Sequence, residues 1–269
     1  MRVVVAGLGR MGRPIAERLR DAGHVVVAID PRAEASSGFE ASGAAEVLVT
    51  VLPGDAELRA FDAPPHDLWI DVTSADPETV AAIPGRFVGA PMLGGPADAA
   101  QGTLRFLAAG AAADVAIARD LLAPAGEVVD VGDDRTHGYV VKLLANALWF
   151  AHSVAATEAL LVGRAAGIPV STLRDLLVAT PGSSRYLEEH APRLLAGDLM
   201  ADFGIDRVVE ELDAVERLRG PGGSSVLGAS AALHREALER FGAVDGELLA
   251  SALLEERAGR PLSDPSVVE

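Results

Sequence analysis

The 269-residue chain contains no cysteine, which excludes disulfides, cysteine-ligated zinc, iron–sulfur clusters and thiol nucleophiles together. Aromatic residues make up only 4 % of a chain that is 49 % hydrophobic. Ala, Val and Leu must therefore pack a core large enough for one big domain or two ordinary ones. Positive charge is also scarce: 23 Lys and Arg stand against 39 Asp and Glu, a net charge of −16 at pH 7. Such an acidic surface repels a phosphate backbone, so nucleic acid is not expected as a partner. A nucleotide cofactor remains compatible, because a local nest of backbone N–H groups holds phosphates on an acidic protein. The six histidines show no HExxH or paired spacing, and no metal site is expected.

Residues Met1 to Gly7 lead straight into a strand, which predicts no signal peptide and a cytoplasmic protein. The longest apolar stretch, around Tyr139 to Gly163, contains Lys142, Asn146, His152 and Glu158. That set predicts a buried helix and no membrane span. There is no internal repeat and no low-complexity linker.

The first third alternates β-rich runs with helical patterns. Arg2–Ala6, Val25–Ile29, Val47–Val51 and Leu68–Val72 read as strands, with an amphipathic helix from Met11 to Asp21 after the first. Continuous apolar runs in this alternation predict a parallel sheet buried on both faces, an α/β Rossmann doubly wound domain. A further strand is expected at Arg86–Gly89, a hairpin-like pair at Gly102–Ala109 and a closing strand at Val128–Val131. After His137 the pattern is all helical: Tyr139 to about Ala166, then Ser171–Ala179, Ser184–Ala196, Asp202–Leu218, Gly228–Phe241 and Asp245–Ala258. Ser171 and Ser184 read as helix caps. The expected division is 1–134 for the sheet domain and 135–258 for an all-α domain opening with a long connecting helix. Residues 259–269 read as a flexible tail.

Gly7-Leu8-Gly9-Arg10-Met11-Gly12 matches GxGxxG between a valine strand and a helix. The first glycine permits the tight turn, the second lets pyrophosphate approach the backbone, and the third lets helix and strand pack closely. Asp30, where the next strand ends, suits a carboxylate accepting from the adenosine ribose hydroxyls. A carboxylate there repels a 2′-phosphate and favours NAD, while Arg32 nearby leaves NADP open. The alternative is an ordinary glycine turn in an α/β domain. Lys142 and Asn146, four apart, share a face of the long helix in apolar surroundings. A lysine so placed is costly unless paired or shifted in pKa, as a general acid–base would be. Equally, Lys142 could reach solvent past the helix N-terminus while Asn146 bonds a loop.

Four segments resemble the β-hydroxyacid dehydrogenase family, which includes 3-hydroxyisobutyrate dehydrogenases and semialdehyde reductases. Val5-Ala6-Gly7-Leu8-Gly9-Arg10-Met11-Gly12-Arg13-Pro14 is similar to its opening motif, with Asp21-Ala22-Gly23-His24 following. Val51-Leu52-Pro53 is similar to a segment beside the cofactor. Asp71-Val72-Thr73-Ser74-Ala75-Asp76-Pro77 resembles DxSTxxP, which implies Ser74 near the nicotinamide ribose. Gly138-Tyr139-Val140-Val141-Lys142-Leu143-Leu144-Ala145-Asn146 resembles GxxxKLxxN, which implies a catalytic lysine with an asparagine positioning substrate and lysine. The resemblance implies a Rossmann domain, a long helix and a helical domain building a homodimer. It places a small-molecule substrate between the domains and makes Lys142 the acid–base partner of hydride transfer.

Three positions depart from the family. In Gly89-Ala90-Pro91-Met92-Leu93-Gly94-Gly95, Leu93 stands where a serine binds the substrate carboxylate, leaving the N–H groups of Gly94 and Gly95 as donors. Counting from Phe203, Glu210-Glu211 stands where the family has Lys-Asp. Ala145 stands where many members have an asparagine. These changes point to a less anionic substrate in a pocket with Leu93 and Trp149, which lies seven residues after Lys142; for Trp149 a core role is an equal alternative. An imine reductase, which shares this architecture, and a non-catalytic cofactor-binding dimer are the alternatives.

Overall fold

The computed structural model describes residues 1–32, 39, 45–220 and 226–263. The chain forms two compact units, Met1–Lys142 and Leu143–Glu269.

In the first unit β1 (Arg2–Ala6), β2 (Val25–Ile29), β3 (Ala45–Thr50), β4 (His66–Asp71) and β5 (Phe87–Gly89) form a parallel sheet ordered β2-β1-β3-β4-β5. Consecutive residues Val3, Val4 and Val5 are all buried, which requires cover on both faces. One face packs Val3, Val5 and Val49 against Ile15 and Leu19 of α1 (Gly12–Asp21) and Val115 and Leu122 of α5 (Ala112–Leu122). The other packs Val4, Leu48 and Trp69 against Leu58 of α2 (Asp55–Arg59) and Val80 of α3 (Pro77–Ala81). This is the doubly wound sheet expected from the apolar runs.

The hairpin expected within Gly102–Ala109 does not form. Gly102 instead ends α4 (Pro96–Gln101) in a left-handed conformation, φ +73°. A three-stranded sheet takes its place, ordered β6 (Met92–Leu93), β7 (Leu104–Ala108), β8 (Gly126–Asp130), with β6 antiparallel and β8 parallel to β7. Pairing partners lie outside the segment, beyond the reach of a local turn pattern.

The long helix α6 (His137–Ala165) contains the division between the units. The first turn of α6, before that division, is packed on the sheet. A Cβ on Gly138 would meet Leu107 O at 2.2 Å, and one on Gly89 would meet the Tyr139 ring at 2.4 Å. Both glycines are needed for this close docking. The fully buried Tyr139 donates its hydroxyl to Asp71 Oδ2 at 2.5 Å, at the end of β4. Thr50 Oγ1 donates to Asp71 Oδ1 at 2.5 Å, and Trp69 Nε1 donates to Thr50 at 2.8 Å.

The second unit is helical: α7 (Val170–Val178), a π-helical turn Tyr186–His190, α8 (Ala191–Leu195), α9 (Ile205–Arg219), α10 (Val226–Phe241) and α11 (Leu249–Ala258). Leu143, Ala147 and Phe150 of α6 pack with Val208 and Leu212 of α9, Ala237 of α10 and Leu253 of α11. Pro169, not Ser171, precedes α7, whereas Ser184 Oγ does accept from Leu187 N–H at 3.2 Å. Of the expected flexible tail, 264–269 lie outside the described residues. Its start is held: Leu262 is buried with Leu160 and Leu248, and its N–H donates to Glu255 Oε1.

Burial of Asp71 raises its carboxyl to about 6, opposed by the hydroxyls of Thr50, Tyr139 and Thr73. A carboxyl whose folded value lies above its unfolded one contributes stability that is full below the unfolded value. That contribution is lost as pH rises through about 6. Relative to Asp71→Asn, the wild-type protein should therefore gain about 1 kcal/mol between pH 7 and pH 5. Denaturant melts of both proteins across that range measure it, and parallel curves would contradict the assignment.

Candidate active site

The carboxyl ends of β1, β2, β3 and β4 carry Gly7, Asp30, Leu52 and Ser74 respectively, around the β1/β3 switch point where parallel sheets bind ligands. Gly7 has φ +93°, and a Cβ there would meet Val51 O at 2.2 Å. Gly12 lets α1 start against the turn, since its Cβ would lie 1.9 Å from Gly7 O. Gly9 differs: among the described residues a Cβ there would meet nothing within 4 Å. The fold does not need glycine at that position, but a pyrophosphate lying on the backbone does. The residues present thus fit a dinucleotide. Leu8 is buried and Met11 packs against the core, so these two offer backbone rather than side chain, while Arg10 is exposed.

Asp30 is fixed in place by the same turn. Its Oδ2 accepts from Leu8 N–H at 2.7 Å, and its Oδ1 accepts from Arg32 N–H and Nε at 2.9 Å each. The Arg32 guanidinium, with these backbone N–H groups, holds the Asp30 carboxyl down at about 2 against the opposing effect of burial. Asp30 is a carboxylate throughout the physiological range. Leu52 N–H donates to the buried Thr73 Oγ1 at 3.0 Å, tying the segment before Pro53 to the one that presents Ser74.

One of the expected carboxylate donors is already engaged within the chain. The N–H of Gly95 is committed to Asp98 Oδ2 at 2.8 Å in the capping turn of α4, so it is not an open donor for a carboxylate. Gly94, φ +113°, and Leu93 at the end of β6 remain beside it. Trp149, also expected at the substrate, is partly buried. It packs edge-on against Phe150, Tyr186 and His190, with ring centroids 5.3, 5.6 and 5.9 Å away.

Lys142 and Asn146 sit one turn apart on α6, both partly buried. Asn146 Nδ2 donates to Glu211 Oε2 of α9 at 2.6 Å. Glu210 instead faces solvent and pairs with Arg207 at 2.9 Å. The contacts at Asp71 and Glu211 carry no local sequence signal, whereas Gly95, Pro96 and Asp98 have the spacing of a helix start. Among the described residues no group of three His, Asp or Glu could hold a metal ion.

A nucleotide-binding sheet followed by a helical unit with a lysine on the joining helix defines a class of nicotinamide-dependent dehydrogenases, and comparisons narrow it. Residues 2–132 match the family described as "NAD binding domain of 6-phosphogluconate dehydrogenase". Residues 136–247 match "NAD-binding of NADP-dependent 3-hydroxyisobutyrate dehydrogenase". The chain is 31 % identical to 3-hydroxyisobutyrate dehydrogenase of Pseudomonas aeruginosa over 219 residues, 71 % of this chain and 73 % of that protein. It is 29 % identical to L-threonate dehydrogenase of Cupriavidus necator over 240 residues, 78 % and 81 % of the two chains. The solved 3-hydroxyisobutyrate dehydrogenase of Mycobacterium tuberculosis with L-serine superposes with TM-score 0.81 at 22 % identity, covering 94 % of this chain and 99 % of that one. The chain belongs to the β-hydroxyacid dehydrogenase family of 3-hydroxyisobutyrate dehydrogenase type and is an NAD(P)-dependent dehydrogenase.

The glycines separate binding from folding. Gly12→Ala should destabilise by about 1–3 kcal/mol through backbone overpacking. Gly9→Ala should leave the melting temperature unchanged and weaken NADH binding about tenfold or more. Thermal melts and NADH fluorescence titrations check both. A Gly9→Ala variant with wild-type NADH affinity would remove the phosphates from this loop.

Proposed function

We propose that the chain interconverts a small hydroxy acid and its carbonyl form, with Lys142 as the general acid–base and Asn146 positioning lysine and substrate. The supporting observation is the docking of α6: Tyr139 is clamped at the end of β4, three residues before Ser74, and Lys142 follows one turn later. Gly7, Leu8, Gly9, Arg10, Met11 and Gly12 would hold the pyrophosphate, with Leu52, Pro53 and Ser74 along the nicotinamide half. Asp30 would accept from the adenosine ribose, favouring NAD. When bound, the nicotinamide supplies or accepts the hydride. In oxidation Lys142 Nζ takes the hydroxyl proton as the carbon loses hydride; in reduction it returns that proton to the carbonyl oxygen.

The Leu93 side chain has no hydrogen-bond donor, Gly95 N–H is taken by Asp98, and Glu210 stands where the family carries a lysine. These features leave fewer donors for a substrate carboxylate than the family pattern has, point to a less anionic member of that substrate class, and give the imine reductase reading its support, against which Lys142 stands.

We also propose a cytoplasmic homodimer built on α6. This helix is long and apolar enough to cross a membrane by length and composition, and only 33 % of its most apolar window is buried within the chain. Its exposed Val141, Leu144, Leu148 and Val162 fall at steps of three, four and fourteen residues, one stripe in the heptad register of a helix-to-helix seam. Sedimentation equilibrium should give a particle of two copies of the 27.7 kDa chain; a monomer at micromolar concentration would refute the dimer.

The function is tested with 3-hydroxyisobutyrate, L-threonate, L-serine and a cyclic imine, each followed at the nicotinamide absorbance. Turnover of a hydroxy acid is expected, and Lys142→Ala should lower kcat by about 10²- to 10⁴-fold. A variant within a few-fold of wild type would mean that Lys142 is not the acid–base group.

A further inference from the structure

The amphipathic pattern of α9 sets Ile205, Val208, Leu212 and Val215 on its buried face, yet Glu211 is buried among them at 8 % exposure. A carboxylate in that position is costly unless its oxygens are satisfied. Only one is: Oε2 accepts from Asn146 Nδ2 at 2.6 Å, and among the described residues the buried Oε1 has no hydrogen-bond partner. A leucine would fill the same space without that penalty, so packing does not account for the residue. Its neighbour Glu210, on the solvated face with Arg207, shows the ordinary use of glutamate on this helix.

What Glu211 does supply is direction. An ionised carboxylate only accepts, so the end of the Asn146 amide that faces it must be the NH₂. The carbonyl Oδ1 is then the end directed elsewhere, on a residue sharing its helix face with Lys142 one turn before. We propose that Glu211 is a positioning residue of the dehydrogenase reaction, acting through Asn146. It locks the amide in the one orientation that presents an acceptor, Oδ1, to the ammonium of Lys142 or to the substrate hydroxyl. A reversed amide would aim N–H groups at those donors. The role rests on the proposed functions of Lys142 and Asn146.

Glu211→Gln keeps the volume and removes the charge, but a glutamine both donates and accepts, so the orientation of Asn146 is no longer dictated. A merely structural role predicts unchanged or higher thermal stability and unchanged kcat. The positioning role predicts kcat lowered about 10- to 100-fold with KM for the nicotinamide cofactor unchanged. In the Asn146→Ala background the same substitution should have no further effect, because Glu211 acts only through that amide. Glu211→Asp retains an accept-only group and should recover part of the rate; it also serves if the glutamine variant does not fold. A substrate-free readout is the side-chain amide signal of Asn146 in a ¹⁵N-labelled sample, identified by its loss in Asn146→Ala. It should move upfield in Glu211→Gln. An unmoved signal, a kcat within twofold of wild type, or an equal loss with and without Asn146 would overturn the proposal. If Asn146→Ala itself leaves kcat unchanged, the catalytic reading of α6 fails instead, while the amide signal still decides the role of Glu211.

Discussion

The hydrogen bond from Tyr139 to Asp71 joins the first turn of α6 to the end of β4, and the placement of Lys142 depends on it. Both groups are fully buried, and a buried carboxylate without a cation beside it is tolerable only when hydroxyls surround it. Thr50, Tyr139 and Thr73 provide them. Gly89 and Gly138 contribute by having no side chain, since a Cβ on either would push the helix off the strands. The outcome is a catalytic candidate held by the rigid end of a sheet rather than by a loop, which suits a reaction sensitive to sub-ångström placement.

The dinucleotide half of the site is built from the same kind of constraint. Gly7 and Gly12 are glycines because the protein's own backbone occupies the space of their Cβ atoms, while at Gly9 nothing among the described residues does. The ends of the motif serve folding, and its centre serves ligand approach in the proposed site. Asp30 connects them: it accepts from the loop at Leu8 and presents its carboxylate where the second strand ends. Arg32 pairs with that carboxylate at 2.9 Å, which keeps a nearly buried charge from being uncompensated.

Features that repeat along the chain were readable in it. Valine runs gave β1 and β2 to the residue, and the Gly7–Gly12 spacing marked the turn between β1 and α1. The helical pattern around Lys142 and Asn146 marked α6, on which they lie one turn apart. Features that join distant residues were not readable. Tyr139 and Asp71 are 68 positions apart, and Asn146 and Glu211 are 65 apart; neither pair leaves a periodic trace. The antiparallel β6–β7 pairing escaped because its partners flank α4 rather than a hairpin turn. Trp149 sat at a helical spacing consistent with a pocket and with a core, and only the rings of Phe150, Tyr186 and His190 distinguish them. Gly95 was read as a free donor because its partner, Asp98, bonds it through a capping turn.

The central claim is that the turn between β1 and α1, with Asp30, is a nicotinamide dinucleotide site that prefers the cofactor without a 2′-phosphate. Titrating the purified protein separately with NADH and NADPH, followed by cofactor fluorescence, measures this most directly. Micromolar affinity for NADH with much weaker binding of NADPH is the predicted result. Tighter binding of NADPH would transfer the adenosine contact from Asp30 to Arg32, and binding of neither would contradict the account.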